Sequence, residues 1–528
     1  MGDKHIHMFY LECFYKNISS GVWMPRWCSD VNNGLGMPIF LSYFPASYYI
    51  MLLFYPLHLY IGFSLLNILT VTLAVACLLS AISAYYCFKD IFPRNTAYIC
   101  ATLYIYFPYH AEITLYRFAL AESWFFVILP LLIKYTRCMV LGKPKAKLVL
   151  ILLFALGALT HFPTTIIAGL GIGLYLLIFN LEKKTWNTLF YYTLTFVAGL
   201  AIAAYQIAPA SFFQMEAIQS VTLTLRKVPW PNRQIIPYDR FFLINLLYGI
   251  LFSLVLLLWA GIIYRKYAKK NTSLDIETQA WAGVFILAYL LFTPLSIPFY
   301  NAFPILKHFF FPWRMQMLWV IFLIYLLGSI LISLPPDKIK RFNNDLWALA
   351  VALIMVNMIQ VYIINKSETF MAIVTHRELN GQREFYTKWI DKKHYDRKTI
   401  YSVPPSFFIP ESGFSESTLI SYDKVHQVKL RTICKSDECS VRLRLTYHPI
   451  WYISSATSPS ITFAPKPPTG LSILTYPKGT HEVTLNVDSY NKNTPWWVRI
   501  SPYISMVSLL AWMAAFFYTR KHAHSHQS

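Results

Sequence analysis

Charge is scarce in this chain. Only 13% of its 528 residues are charged, about half the usual share of a soluble domain. Acids are scarcer still, at 25 Asp and Glu against 46 Lys and Arg, for a formal net charge of +21. The eight cysteines follow no metal-binding spacing. No secretory signal with a small-residue cleavage site opens the chain. A zinc or cluster fold is therefore excluded as the organising principle. So is a water-soluble enzyme, because 56% of the residues are hydrophobic and a soluble fold exposes only small apolar patches. The positive charge does not point to nucleic acid either. Much of it lies in short loops between apolar runs, where cations set membrane topology.

What is present is a series of apolar runs, several near the roughly 20 residues a spanning helix needs. Eleven are expected to span: 65–87, 96–109, 121–137, 148–161, 163–180, 188–208, 241–264, 279–295, 311–334, 345–364 and 501–519. Basic clusters follow the first, third, fifth, seventh, ninth and last of them. One alternation accounts for all six clusters, with those loops cytoplasmic and the N-terminus outside. Residues 1–64 are then an external first loop. Its segment 41–62, rich in Tyr and broken by Pro, lies in the interface. Residues 65–364 form the transmembrane domain, 365–500 an external domain, and 501–528 a last span with a cytoplasmic tail. The protein is expected to be a multi-pass plasma (inner) membrane protein.

Four constellations fall on the outer face. The first loop offers Asp3, His5, His7, Arg26 and Asp30, either an acid site that could take a cation or a solvated terminus. "YRFALAES" carries Arg117 and Glu122 at the mouth of the third span, where charges line a cavity or pair with each other. Glu216, followed by Arg226, Lys227 and Arg233, suits a phosphate-bearing substrate or a solvated loop. "FFFPWRMQ" places Arg314 at the start of the ninth span, facing a substrate or snorkelling to headgroups. His161, at a Pro-marked turn, reads as a satisfied interfacial histidine. Together these suit an enzyme on a lipid-phosphate substrate: a carboxylate as base and cations for the phosphate leaving group.

The order of "SGVWMPRW…GLGMPIFLSYFPASYY", "YRFALAESW", Glu216 and "FPWR" resembles the GT-C superfamily of integral-membrane glycosyltransferases. More narrowly, it looks like bacterial membrane proteins labelled as 6-pyruvoyl-tetrahydropterin-synthase-related. "TYHPIWYI" is similar to the "Y-x-P-G-W" strand of their external domain, with Ile450 where those proteins have glycine. The resemblance implies a polyprenyl-phosphate-sugar donor, a cell-envelope glycan or lipid acceptor, and transfer that is metal-independent or assisted by a divalent cation such as Mg or Mn. By position, Asp3 would be the first-loop acid and candidate base, and His5 would complete its acidic pair and a metal site. Arg117 and Glu122 would match the second-loop motif and Arg314 the late one. The resemblance also implies a helix ahead of Asp3, so the family's first helix is expected to be missing.

Residues 427–433, 440–448 and 481–487 alternate apolar and polar, as half-buried strands do. They predict a small β-sandwich-like domain, with Trp451, Tyr452, Trp496 and Trp497 either gripping a glycan or forming its core and membrane edge. Cys434 and Cys439 bracket "KSDE" between the first two strands, and a hairpin there would join them in a disulfide. The sequons at Asn17 and Asn271 carry no weight. Two other functions fit the same chain: a non-catalytic protein that binds or presents an envelope polymer, and a transporter of lipid-linked oligosaccharide.

Overall fold

The computed structural model describes residues 3–184, 186–216, 250, scattered positions within 253–264, 276–292, 296–303, 312–368, 407–413, 415–422, 426–466 and 469–525. Its helices begin with α1 (Lys4–Ser19), then two short segments, α2 (Ala46–Leu52) and α3 (Tyr55–Ile61). Ser64 caps α4 (Leu65–Phe88), its hydroxyl accepting from the Asn67 amide at 3.1 Å. Next come α5 (Arg94–Tyr106), α6 (Leu120–Val140), α7 (Ala146–Lys183), α8 (Trp186–Ile202) and α9 (Ala204–Glu216). The last four are α10 (Ile276–Phe292), α11 (Gln316–Ile332), α12 (Pro336–Glu368) and α13 (Trp496–Ser525). Among the described residues, six helices are long and apolar enough to cross a membrane, or seven if the bent pair α8–α9 is one span. That is fewer than the eleven expected. Segment α5 has 13 residues and α10 has 17, and most of 241–264 lies outside the described residues.

Helix α7 is a special case. His161 has non-helical angles (φ −151°, ψ 91°) just ahead of Pro163, which cannot continue a helical ladder. A Cβ on Gly157 would lie 3.0 Å from the Thr165 hydroxyl, whereas eight residues of straight helix rise about 12 Å. The helix therefore folds back at His161 into a hairpin. Both arms touch Tyr192 of α8: the Phe154 ring at 5.7 Å and the Gly169 carbonyl at 2.8 Å.

The core runs through α4–α7, α10 and α11, whose Trp319–Leu327 stretch is almost wholly buried. At one end of this bundle Lys134 pairs with Asp90, and Arg137 with Glu277 at 2.7 Å. At the other end sits the sheet. Its strands are β1 (Phe408–Ser412), β2 (Ser415–Tyr422), β3 (Gln427–Thr446), β4 (Trp451–Ala456), β5 (Thr462–Lys466) and β6 (Leu471–Val487). All pairings are antiparallel in the order β1-β3-β6-β4, with β2 also on β3 and β5 also on β6.

One expectation needs correction here. Residues 427–446 are one long strand, not two arms of a hairpin. Cys434 and Cys439 are nonetheless bonded, with Cα atoms 5.7 Å apart, because the β3–β6 register slips between Cys434 and Glu438 and the strand bulges there. Trp451 is core: 2% exposed and edge-on to Trp27 at 5.6 Å. Trp496 and Trp497, at the start of α13, are exposed.

The segment after α1 joins sheet to helices. The Thr446 amide donates to the Leu35 carbonyl at 2.8 Å, and Arg26 reaches both Gln206 of α9 and the Tyr490 hydroxyl. A second disulfide, Cys13–Cys28, ties α1 to this segment. Asn17, despite its sequon, is buried and donates to the Cys13 and Trp27 carbonyls.

A candidate active site of paired charges

Glu122 lies in the first turn of α6, where the helix dipole favours an acid. The chain reaches it through a π-turn, Glu112–Tyr116, then Arg117, then Phe118 with φ of +55°. A non-glycine residue in the left-handed region is strained, and such residues, like π-turns, concentrate at functional sites. The turn is braced on two sides. The Ser123 hydroxyl donates to Thr114 at 3.2 Å, and the Tyr116 hydroxyl donates to the Asn357 side chain of α12 at 2.9 Å.

Arg117 and Glu122 do not form the ion pair with each other that the boundary position suggested. The Arg314 Nε donates to Glu122 Oε1 at 2.6 Å, from the 3-10 turn Pro312–Met315 that leads into α11. His161 Nε2, at the α7 fold-back, lies 3.7 Å from the same oxygen. Arg117 instead holds the start of α1: its guanidinium is 3.6 Å from Asp3 Oδ2, and its carbonyl accepts from the Asp3 amide at 2.6 Å. Glu122, Asp3 and Glu112 all act on the Arg117 charge. The side chains grade inward, from Asp3 (33% exposed) and Arg117 (29%) to Arg314 and His161 (15% each) and Glu122 (7%).

Around this core, His7 is buried one turn along α1 from Asp3, its Nδ1 2.8 Å from the Tyr48 hydroxyl. Burial pushes its pKa down to about 4, so it is neutral. Phe44 stacks on Phe162 at 5.7 Å, closing the fold-back against the segment that carries the sheet.

The structure thus gathers Asp3, Arg117, Glu122 and Arg314 from four separate elements and adds His161. For two other candidates the structure gives no side-chain position. His5 is in α1 and Glu216 ends α9, but their side chains, with Arg226, Lys227 and Arg233, lie outside the described residues. Among the described residues no three His, Cys, Asp or Glu side chains converge as a metal site. The carboxylates present fit a divalent cation poorly, because each already faces an arginine and a second cation there would be repelled. What the cluster suits is an anion held by the two arginines beside groups able to accept a proton. Comparison of the chain with protein-family models and with curated proteins finds no match to either.

Proposed function

We propose that this protein is a membrane glycosyltransferase of GT-C type, moving a sugar from a polyprenyl-phosphate donor to a cell-envelope glycan or lipid at the non-cytoplasmic face. The observation that carries the reading is the set of interlocked pairs Asp3–Arg117 and Glu122–Arg314 at the sheet-bearing end of apolar helices. Each carboxylate aims a guanidinium, and paired guanidinium groups are suited to a phosphate leaving group. The helices beneath supply an apolar surface for the prenyl chain. Placement of this end outside is supported by the two disulfides that flank it, since such bonds persist in oxidising compartments.

The test is transfer of radiolabelled sugar from a panel of polyprenyl-phosphate donors by the full chain in lipid. Asp3→Asn and Arg314→Gln are each expected to lower transfer at least about 100-fold, the scale of losing one preorganised charge contact. Donor that binds without any transfer would sink the enzyme reading and favour a protein that binds or presents a lipid-linked glycan.

A further inference from the structure

The fold-back of α7 leaves His161 in an unusual hydrogen-bonding state. The Thr164 hydroxyl donates to the His161 carbonyl at 3.0 Å and also lies 2.9 Å from the His161 ring Nδ1. A hydroxyl has one proton. Both contacts are satisfied together only when Nδ1 carries a proton and the Thr164 oxygen accepts it. In its neutral form the ring then points the bare lone pair of Nε2 at Glu122 Oε1, 3.7 Å away. That distance is beyond a hydrogen bond, consistent with two acceptors facing each other. Glu122 Oε2 is buried as well, with no hydrogen-bond partner among the described residues. The site therefore presents two acceptors and calls for a ligand that donates.

A metal ion does not answer, since Arg314 already holds the same carboxylate at 2.6 Å. A hydroxyl does. We propose that His161 is the general base that takes the proton of the acceptor hydroxyl, with Glu122 beside it to stabilise the resulting imidazolium. This rests on the transferase reading and names its base. The acceptor O–H proton passes to Nε2 while its oxygen forms a bond to the anomeric carbon. The bond from that carbon to the phosphate oxygen breaks, and the electron pair leaves with the polyprenyl phosphate, whose charge Arg314 and Arg117 offset. Asp3 is then a positioning residue for Arg117. The charged groups that face His161 are Glu122, Arg314 and Arg117, and Phe44, packed on Phe162, brings none.

The experiment compares the parent with His161→Gln in lipid, measuring donor binding and transfer separately. The expected result is kcat lowered about 100- to 10,000-fold with donor affinity unchanged, the range for losing a general base. The acid limb of the pH–rate profile should vanish in the variant, and added imidazole should restore part of the rate. Transfer by His161→Gln at the parent's rate overturns the assignment while the transferase reading stands. So does an acid limb that survives in His161→Gln but disappears in Asp3→Asn. If His161→Gln no longer binds donor, Thr164→Val decides. It removes only the Nδ1 partner, because Thr165 still donates to the His161 carbonyl at 3.1 Å. A lower kcat at unchanged KM supports the base, and an unchanged kcat overturns it. A parent that transfers sugar from no donor overturns the transferase reading and this assignment together.

Discussion

Glu122 and Arg117 are five positions apart, and the way they part company is a matter of backbone geometry. On a helix, five residues turn through about 500°, which leaves the two side chains on different faces. Phe118, in the left-handed region, breaks even that relation. The sequence marked the charges as out of place at a helix mouth, but each partner comes from a distant element: Arg314 for Glu122 and Asp3 for Arg117. No local spacing encodes such pairs. His161 was legible only as a polar residue at a turn, because its tautomer follows from Thr164 and the fold-back. The buried Glu122–Arg314 pair carries a prediction of its own. Removing one partner of a buried pair strands the other charge, at a cost of about 3 kcal/mol. Glu122→Gln and Arg314→Gln should each lower stability by about that much, and the double variant by less than the sum. Thermal unfolding of the four proteins in one detergent would check it. Strictly additive losses would show that the two side chains do not act as a pair.

At the scale of elements, Pro163 and the apolar runs on either side were enough to expect two antiparallel arms, and α7 folds back at that place. What could not be read was how closely the arms and their neighbour approach. A Cβ on Gly199 would lie 2.5 Å from the Phe154 Cβ and 2.8 Å from the Ile151 carbonyl oxygen, so α8 packs backbone-to-backbone against the first arm. Small residues at helix crossings permit this in membranes. The prediction is that Gly199→Ala destabilises the protein by about 1–3 kcal/mol, the range for overpacking a filled interior, although alanine is the better helix former. A melting temperature at or above the parent's would mean that α8 can move away freely. The sheet was half legible for a similar reason. Alternation marks a strand's faces, and it holds on both sides of the bulge in β3. It does not report whether the chain turns back between them.

For the whole molecule, the cysteines divide by their place in the fold. Cys13–Cys28 and Cys434–Cys439 are bonded and lie with the sheet and the charged cluster, while the free thiols Cys77, Cys87, Cys100 and Cys138 are on the helices of the bundle. The Lys134–Asp90 and Arg137–Glu277 pairs mark the opposite end, the end that the basic clusters lead one to expect in the cytoplasm. On the topology proposed above, charge bias and disulfides are independent markers that would both put the sheet-bearing end outside. In sealed right-side-out vesicles, an impermeant reductant followed by an impermeant maleimide should label Cys13, Cys28, Cys434 and Cys439. Without the reductant, those four should stay unlabelled. Labelling of these positions only in inverted vesicles would reverse the topology and place the candidate site in the cytoplasm. Reduction should also have an energetic signature. Chain-entropy arguments give about 3 kcal/mol for a loop of about 15 residues and about 2 kcal/mol for one of about five. The Cys13→Ser/Cys28→Ser variant should therefore lose more stability than Cys434→Ser/Cys439→Ser. It should also weaken donor binding, because the α1 that Cys13 anchors is the helix that brings Asp3 to Arg117. Equal losses from the two variants, with donor binding intact in both, would separate the N-terminal disulfide from the site it appears beside.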